Sequence, residues 1–412
     1  MKQAISNSLK EAIKKQKYQH DSYYIFDKEI CSSEINFFKD SFKKFNSIFS
    51  YSFKTNYCKP LIDMTNKKDF LSEVVSPFEV DLTKLYNINP KKIIYNGPVK
   101  DIKSIEYVLK GNGVVNADNL QDLDLIIKTA QRLKINPRLG IRFSYESEAL
   151  HSRFGIEFNS KNLNKIIKIF NINKLENIDV IHVHFPERNL NSFKNRLEKI
   201  FSTFKILKKN SINVSFIDIG GGFPSRMSKD MRESLGLEKD QILSKFPEVI
   251  NNLRTKYKLE ELPIIFEPGT AIASSCFHLV GNVHSINDKK DKMYINTDLS
   301  LTLLGGLKNK TYYPITYISL NDKKNFIGLN KNKDKILSGF SCVEGDLLNM
   351  GNIEILNPCI NDKIVLSSVG SYSTVFKSPF IRGDIALFIW DGKQLTLSRR
   401  AQTANDILKL YK

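Results

Sequence analysis

Cysteine is scarce in this chain of 412 residues: Cys31, Cys58, Cys276, Cys342 and Cys359 are scattered, odd in number and contain no CxxC pair. That spacing excludes a disulfide framework and a zinc cage, and it fits free thiols in a reducing cytoplasm. No run of about eighteen apolar residues occurs, so no membrane span is expected. The N-terminus, MKQAISNSLKEAIKKQKYQHDSYY, lacks the apolar core of a secretion signal. Acidic residues are outnumbered, 44 Asp and Glu against 62 Lys and Arg, for a net charge of +18. The excess is nearly all lysine, spread along the chain without a basic arm or an arginine-rich tract, so no nucleic-acid partner is expected. An anionic cofactor or substrate is a milder use of that potential. Neither a Walker loop nor a GxGxxG dinucleotide fingerprint is present. No internal repeat or low-complexity linker occurs.

Apolar residues, by contrast, are plentiful: 41% of the chain, with 16 Tyr and 27 Phe, ample for the buried cores of two domains. Ser22–Asp27, SYYIFD, reads as a strand, and Ser32–Phe45 has helical spacing with Ile35, Phe38, Phe42 and Phe45 on one face. From Phe49 onward a unit recurs: a short apolar strand, a polar turn, an amphipathic helix. The strands fall at Phe49–Asn56, Glu73–Ser76, Ile93–Tyr95, Gly113–Val115, Leu139–Phe143, Val180–Phe185, Ser215–Ile219, Ile264–Phe266 and His278–Ser285. Roughly eight such units imply a parallel (β/α)8 barrel of α/β class. From about Tyr294 the texture changes to short strands and turns, an antiparallel β domain.

Catalytic groups of a barrel stand at the C-terminal strand ends, and several of these ends carry unusual residues. Lys54 closes the strand FSYSFKTN; it either snorkels to solvent or, desolvated, becomes a nucleophile towards aldehydes. FIDIGGGFPS runs into Gly220, Gly221 and Gly222, a flexible turn or a backbone cradle for a phosphate. FEPGTA places Glu267 before the turn Pro268-Gly269-Thr270, where a carboxylate serves as base, metal ligand, partner of a cationic heterocycle or helix cap. IHVHFPER puts His182 and His184 on one strand face, for a metal, with His278 and His284 as further ligands, or for stacking on a flat cofactor. SCVEGDL brings the Cys342 thiol near Glu344 and Asp346, and VGSYSTVF presents Tyr372 after a glycine turn.

Taken in order, from SYYIFD to RRAQTANDIL, these stretches resemble the fold-type III pyridoxal-phosphate decarboxylases, the diaminopimelate and ornithine decarboxylase family. The resemblance implies an alanine racemase-like barrel with a C-terminal β domain. It divides the chain into an arm and strand at 1–40 contributing to the β domain, a pyridoxal-phosphate barrel at 41–290 and the β domain at 291–412. Lys54 in SFKTN corresponds to the Schiff-base lysine, and Glu73–Glu79, EVVSPFE, to the DVVSxxE strand end. Arg142 in GIRF corresponds to the barrel arginine and SRFGI to the KFG-type motif. His182 corresponds to the ring-stacking histidine, Gly220–Gly222 to the phosphate loop, and Glu267 to the acid at the ring nitrogen, with Gly269 and Thr270 completing that turn. Cys342 and Asp346 match a C-x-x-x-D motif that reaches into the partner subunit's site, which implies a homodimer, and Tyr372 matches a phosphate-contacting tyrosine. The activity implied is amino-acid decarboxylation, with Cys342 or a water it positions returning a proton to Cα.

The chain departs from the family at several places. Thr270 replaces the arginine of EPGR, His184-Phe185 replaces a phosphate-binding turn, and Pro186, Glu187 and Arg188 have no counterpart. Val343 replaces the acid that serves the distal amine of diaminopimelate, with Glu344 one place later. The expected substrate is therefore an amino acid other than diaminopimelate, such as a siderophore, polyamine or other specialised amine precursor, contacted by Asp346, Glu344 and His184. A racemase on the same barrel and a non-catalytic regulator of a decarboxylase are the alternatives, and the HxH metal site is a third. No metal is expected.

Overall fold

The alternation of inward and outward side chains along short strands builds the larger of two compact units. The structure, a computed structural model, describes residues 5–16, 21–145, 152–185, 187, 189–235, 242–306, 311–320, 334–348, 358–377 and 379–411. In the unit formed by Ile35–Pro224 and Lys239–Ala271, eight strands pair in parallel: Ser47–Ser52, Leu71–Val74, Ile93–Tyr95, Val114–Ala117, Arg138–Ser144, Asn177–His182, Asn213–Asp218 and Ile264–Phe266. The ring closes where Ile264 pairs with Ser47 and Phe266 with Phe49. The (β/α)8 barrel read from the sequence is therefore present. Its crossover helices start at caps written in the sequence: the side chains of Ser76, Asp101, Asn119, Asn159 and Asn189 each accept a backbone N–H of the first turn.

Inside the barrel, Ile94, Val114, Val180 and Ile265 form an apolar floor with Ile48, Leu71 and Phe216 packed against it. Side chains two residues on along each strand share the same face. Those positions are Ser50, Glu73, Asn96, Asn116, His182, Asp218 and Glu267, all buried. One layer above an apolar floor, the interior thus turns polar at the C-terminal ends. The outer face is aromatic. Phe38 of the Lys28–Phe42 helix packs on Phe42, Phe49, Phe223 and Phe266 with ring centroids 4.9, 5.8, 5.3 and 6.5 Å away.

The second unit comprises Met1–Glu34, Ser225–Glu238 and Ile272–Lys412. Its sheet is mixed. Tyr23–Asp27 lies between Phe277–Asp288, antiparallel to it, and Ala386–Trp390, parallel to it. Lys292–Thr297 likewise pairs in parallel with Asp334–Ser338, while the other ladders of the sheet are antiparallel. Phe277–Asp288, counted with the barrel strands in the sequence as His278–Ser285, is hydrogen-bonded into this sheet, antiparallel to both Tyr23–Asp27 and Lys363–Ser367. Leu9, Ile13, Tyr23, Ile25, Val365, Phe388 and Trp390 share one core. No helix among the described residues is long and apolar enough to cross a membrane.

The aromatic belt is a large part of what seats the Lys28–Phe42 helix. Phe38→Ala is expected to destabilise the protein by roughly 3–5 kcal/mol in equilibrium denaturation; a loss below about 1 kcal/mol would mean that the belt is not packed as described.

Candidate active site at the barrel mouth

The polar layer is a connected chain of hydrogen bonds. Lys54, in the turn Phe53–Thr55 that follows the first barrel strand, reaches both carboxylate oxygens of buried Glu73 at 2.9 and 2.8 Å. Ser52 Oγ donates to the same carboxylate. Asn96 Nδ2 donates to Glu73 Oε1 at 3.1 Å and to Glu267 Oε1 at 2.7 Å, joining the two acids. Asn116 Nδ2 donates to Asn96 Oδ1 at 2.5 Å and fixes that amide. On the far side, His182 Nε2 stands 3.5 Å from Glu267 Oε2. Arg142 pairs with Asp118 at 3.4 Å and lies over the ring of Phe154.

Electrostatics separate two neighbouring carboxyls. Burial works against the charge of Glu267, but His182 and Lys54 beside it outweigh that cost and hold its carboxyl well below the usual carboxylate range. Burial, and then the charge of Glu267, push Asp218 well above its ordinary value. Asp218 Oδ1 accepts from Gly220 N–H at 2.8 Å, whereas Oδ2 has no hydrogen-bond partner among the described residues. His182, Asp218 and Glu267 offer ligand atoms within 4.8 Å of one another and are, among the described residues, the group that could gather round a cation. His184 does not join them: its Nδ1 accepts from Gly221 N–H at 3.2 Å. Burial, followed by the charges of Arg196 and Lys54, pushes the His184 pKa down, so its ring is neutral.

The three-glycine loop follows the seventh strand, with Gly220 and Gly222 in left-handed conformations at φ +67° and +85°. A Cβ on Gly220 would stand 2.7 Å from the Val183 carbonyl oxygen, so the close approach of the loop to the His184 segment requires glycine. Gly269 has a packing duty of its own. A Cβ there would lie 2.1 Å from Thr55 Oγ1, and Ser52 N–H donates to the Pro268 carbonyl. The Glu267 turn is pressed against the Lys54 turn, and Gly269 is what lets them meet.

The structure thus brings Lys54, Arg142, His182, His184, Gly220–Gly222, Glu267, Gly269 and Thr270 into one unit, at the C-terminal side of one barrel. His182, expected to stack on a ring, is only 2% exposed and lies against Glu267; the half-buried His184 is the imidazole beside the glycine loop. Cys342, Glu344, Asp346 and Tyr372 belong to the β unit. Cys342 and Glu344 are exposed, and Tyr372 is exposed with φ +65°. Asp346, expected to face substrate, is 2% exposed and ties its loop to the Ser300–Leu301 turn, accepting from Ser300 Oγ, Leu301 N–H and Ser341 N–H at 2.8, 2.8 and 3.2 Å. Pro186 and Arg188 lie outside the described residues.

Sequence reasoning did not single out Asn96, Asn116, Asp218 or Arg196. The first three carried a signal, since each follows an inward apolar residue by two places at a strand end. Arg196 carried a subtler one, a charge among Phe193, Leu197 and Ile200 on the buried face of the helix Leu190–Lys209.

A parallel (β/α)8 barrel with a half-buried lysine, a glycine cradle and a charged buried acid at one mouth defines a class of enzyme. A family model for the pyridoxal-binding domain of pyridoxal-dependent decarboxylases matches residues 31–274, more than half of the chain. The diaminopimelate decarboxylase of Methanocaldococcus jannaschii is 22% identical over 408 residues, covering 93% of this chain and 90% of its own. The biosynthetic arginine decarboxylase of Prochlorococcus marinus is 26% identical over 345 residues, covering 72% and 52%. The crystal structure of Helicobacter pylori diaminopimelate decarboxylase complexed with L-lysine has the same fold, with a TM-score of 0.81 at 20% identity over 98% of both chains. The chain belongs to the pyridoxal-dependent decarboxylase family.

Glu79 of the EVVSPFE strand end gives a pH signature of the mouth. It accepts from Val75 N–H at 2.7 Å, and burial raises its pKa from 4.5 to about 7. The folded state keeps a proton that the unfolded chain releases over that window. This group's stabilising contribution is therefore complete below 4.5 and lost as the pH rises through about 7. Glu79→Gln should flatten the fall in unfolding free energy between those limits by about 3 kcal/mol, measured by urea unfolding across the window; an unchanged slope would show that Glu79 is ionised in the fold.

Proposed function

We propose that this protein removes the α-carboxylate of an amino acid, with pyridoxal 5′-phosphate held at the barrel mouth by Lys54, and that it works as a homodimer. The observation that carries this reading is the unbroken chain Lys54–Glu73–Asn96–Glu267 beside the Gly220–Gly222 loop. The donor set fits that cofactor. Lys54, its side chain 38% exposed, is the amine for an aldehyde. The glycine loop suits a phosphate, and Glu267 suits a protonated ring nitrogen. His184, held by Gly221, offers the neutral flat face that buried His182 does not. Tyr372 is carried over as a phosphate contact and Arg142 as a cofactor contact by the family resemblance.

Once bound, the cofactor supplies an electron-poor ring for the electron pair left at Cα when carbon dioxide departs. The residues of the chain do the rest. Glu267, kept ionised, holds a proton on the ring nitrogen. Glu73 grips the Lys54 side chain and would hold its amine at the mouth, where it would meet the aldehyde of the cofactor. Cys342, an exposed free thiol, returns a proton to Cα in the partner's site. Five free thiols accord with a cytoplasmic place of action. The substrate differs from diaminopimelate at its distal end, where Val343 replaces an acid. Asp346, its oxygens engaged by Ser300, Leu301 and Ser341, shapes the loop that carries Val343.

Lys54→Ala should abolish both the visible band of the attached cofactor and carbon dioxide release; normal turnover by this variant would remove Lys54 from the chemistry. A panel of L- and D-lysine, ornithine, arginine, diaminopimelate and carboxylated polyamine precursors tests the substrate. Release from one member, unaffected by a chelator, is expected, whereas diaminopimelate as the fastest substrate would overturn the distal-end argument. Cα proton exchange without carbon dioxide would identify a racemase. Mixing inactive Lys54→Ala with inactive Cys342→Ala should restore about a quarter of wild-type activity, because random pairing leaves hybrid dimers with one intact site; no recovery would place both residues in one chain's site.

A further inference from the structure

The glycine loop offers a phosphate fewer donors than its sequence promises. Gly220 N–H is taken by Asp218 Oδ1 at 2.8 Å and Gly221 N–H by His184 Nδ1 at 3.2 Å. A dianion held there needs positive charge, and Thr270 supplies none. Directly behind the loop sits Arg196. Its side chain is 2% exposed and lies over the rings of Phe193 and Phe223, 4.7 and 5.9 Å from their centroids. Nη2 donates to the Gly221 carbonyl at 2.8 Å, while Nε and Nη1 have no hydrogen-bond partner among the described residues. A buried guanidinium with unpartnered donors is costly unless something anionic stands near. Glu267, Asp218 and Glu187 favour its charge but form no ion pair with it among the described residues, and burial brings its pKa only to about 10, so it remains charged at neutral pH.

The geometry turns this charge towards the loop. In a trans peptide the C=O and the following N–H point in opposite directions. With the Gly221 carbonyl held by Arg196, Gly222 N–H is aimed away from the guanidinium, to the other side of the loop. The space left by the missing side chain of Gly222 looks back on Arg196: a Cβ there would have only Nη1, at 3.7 Å, and the Glu187 carbonyl, at 3.9 Å, as near neighbours.

We propose that Arg196 is the cation of the cofactor-phosphate site, a positioning residue that sets the Gly221–Gly222 peptide and supplies the positive charge missing at Thr270. This inference rests on the pyridoxal-phosphate reading above. It separates from that reading by comparing apoprotein affinity for pyridoxal 5′-phosphate with that for pyridoxal, which lacks the phosphate. Wild type should prefer the phosphate ester. Arg196→Met, whose stem keeps the packing between Phe193 and Phe223, should lose roughly thirtyfold of that preference, the worth of one charged hydrogen bond, with pyridoxal affinity unchanged. Arg196→Lys keeps the charge without the planar clamp and should lose less than about tenfold; it decides the matter if Arg196→Met does not fold. Variants that bind both compounds more weakly by the same factor would show that Arg196 only packs, and the inference would fall. A wild type that binds both compounds alike would instead overturn the glycine cradle itself, and the inference with it.

Discussion

A carboxylate that stays ionised inside a closed barrel must be surrounded by groups that prefer it charged. Glu267 is in that position, and much of the mouth is arranged around it. Asn96 donates to it, His182 and Lys54 lower its pKa, and Asp218 beside it yields its own charge. Two like charges in so small a space would repel strongly. Asp218, its pKa raised by burial and by the charge of Glu267, relieves that repulsion, while its Oδ1 accepts from Gly220 N–H.

The same acid ties together parts of the site that have different duties. Asn96 links Glu267 to Glu73 and so to Lys54. The amide of Asn96 is fixed in turn by Asn116. Space for Asn116 comes from Gly140, where a Cβ would stand 1.4 Å from its Oδ1. The distance between the lysine and the acid is therefore set by strands, with no flexible loop between them, and the turns carrying them touch through Gly269.

Much of this was legible in the sequence because it depends on local spacing. The strand–helix alternation announces the barrel, and polar residues closing apolar strands announce Lys54, His182 and Glu267. The parity that selects those residues selects Asn96, Asn116 and Asp218 too, although they stand in no conspicuous motif. Other features depend on partners far away in the chain. Phe277–Asp288 has the texture of a barrel strand, and only its pairing with Tyr23–Asp27 assigns it to the sheet. Asp346 looks like a ligand-binding acid until Ser300 and Leu301, more than forty residues earlier, occupy its oxygens. Arg196 looks like one more surface charge until the glycine loop is seen against it.

The position of Tyr23–Asp27, ahead of every barrel strand in chain order, bears on how the chain is made. It lies between Phe277–Asp288 and Ala386–Trp390, so that Tyr23 pairs with Val280 on one side and Ala386 on the other. During synthesis its first partner, Phe277–Asp288, follows the barrel sequence, and its second, Ala386–Trp390, comes about a hundred residues later still. All its residues are buried in the finished sheet, leaving YYIFD as an apolar segment with unpaired edges while it waits. The barrel strands from Ser47 to Phe266 are all made in the meantime, although Ser225–Glu238, between the last two of them, belongs to the β unit. The sheet of the β unit is thus completed only after all eight barrel strands have been made, and a nascent chain that has not reached Trp390 would hold those strands with one edge of Tyr23–Asp27 still unpaired by Ala386–Trp390.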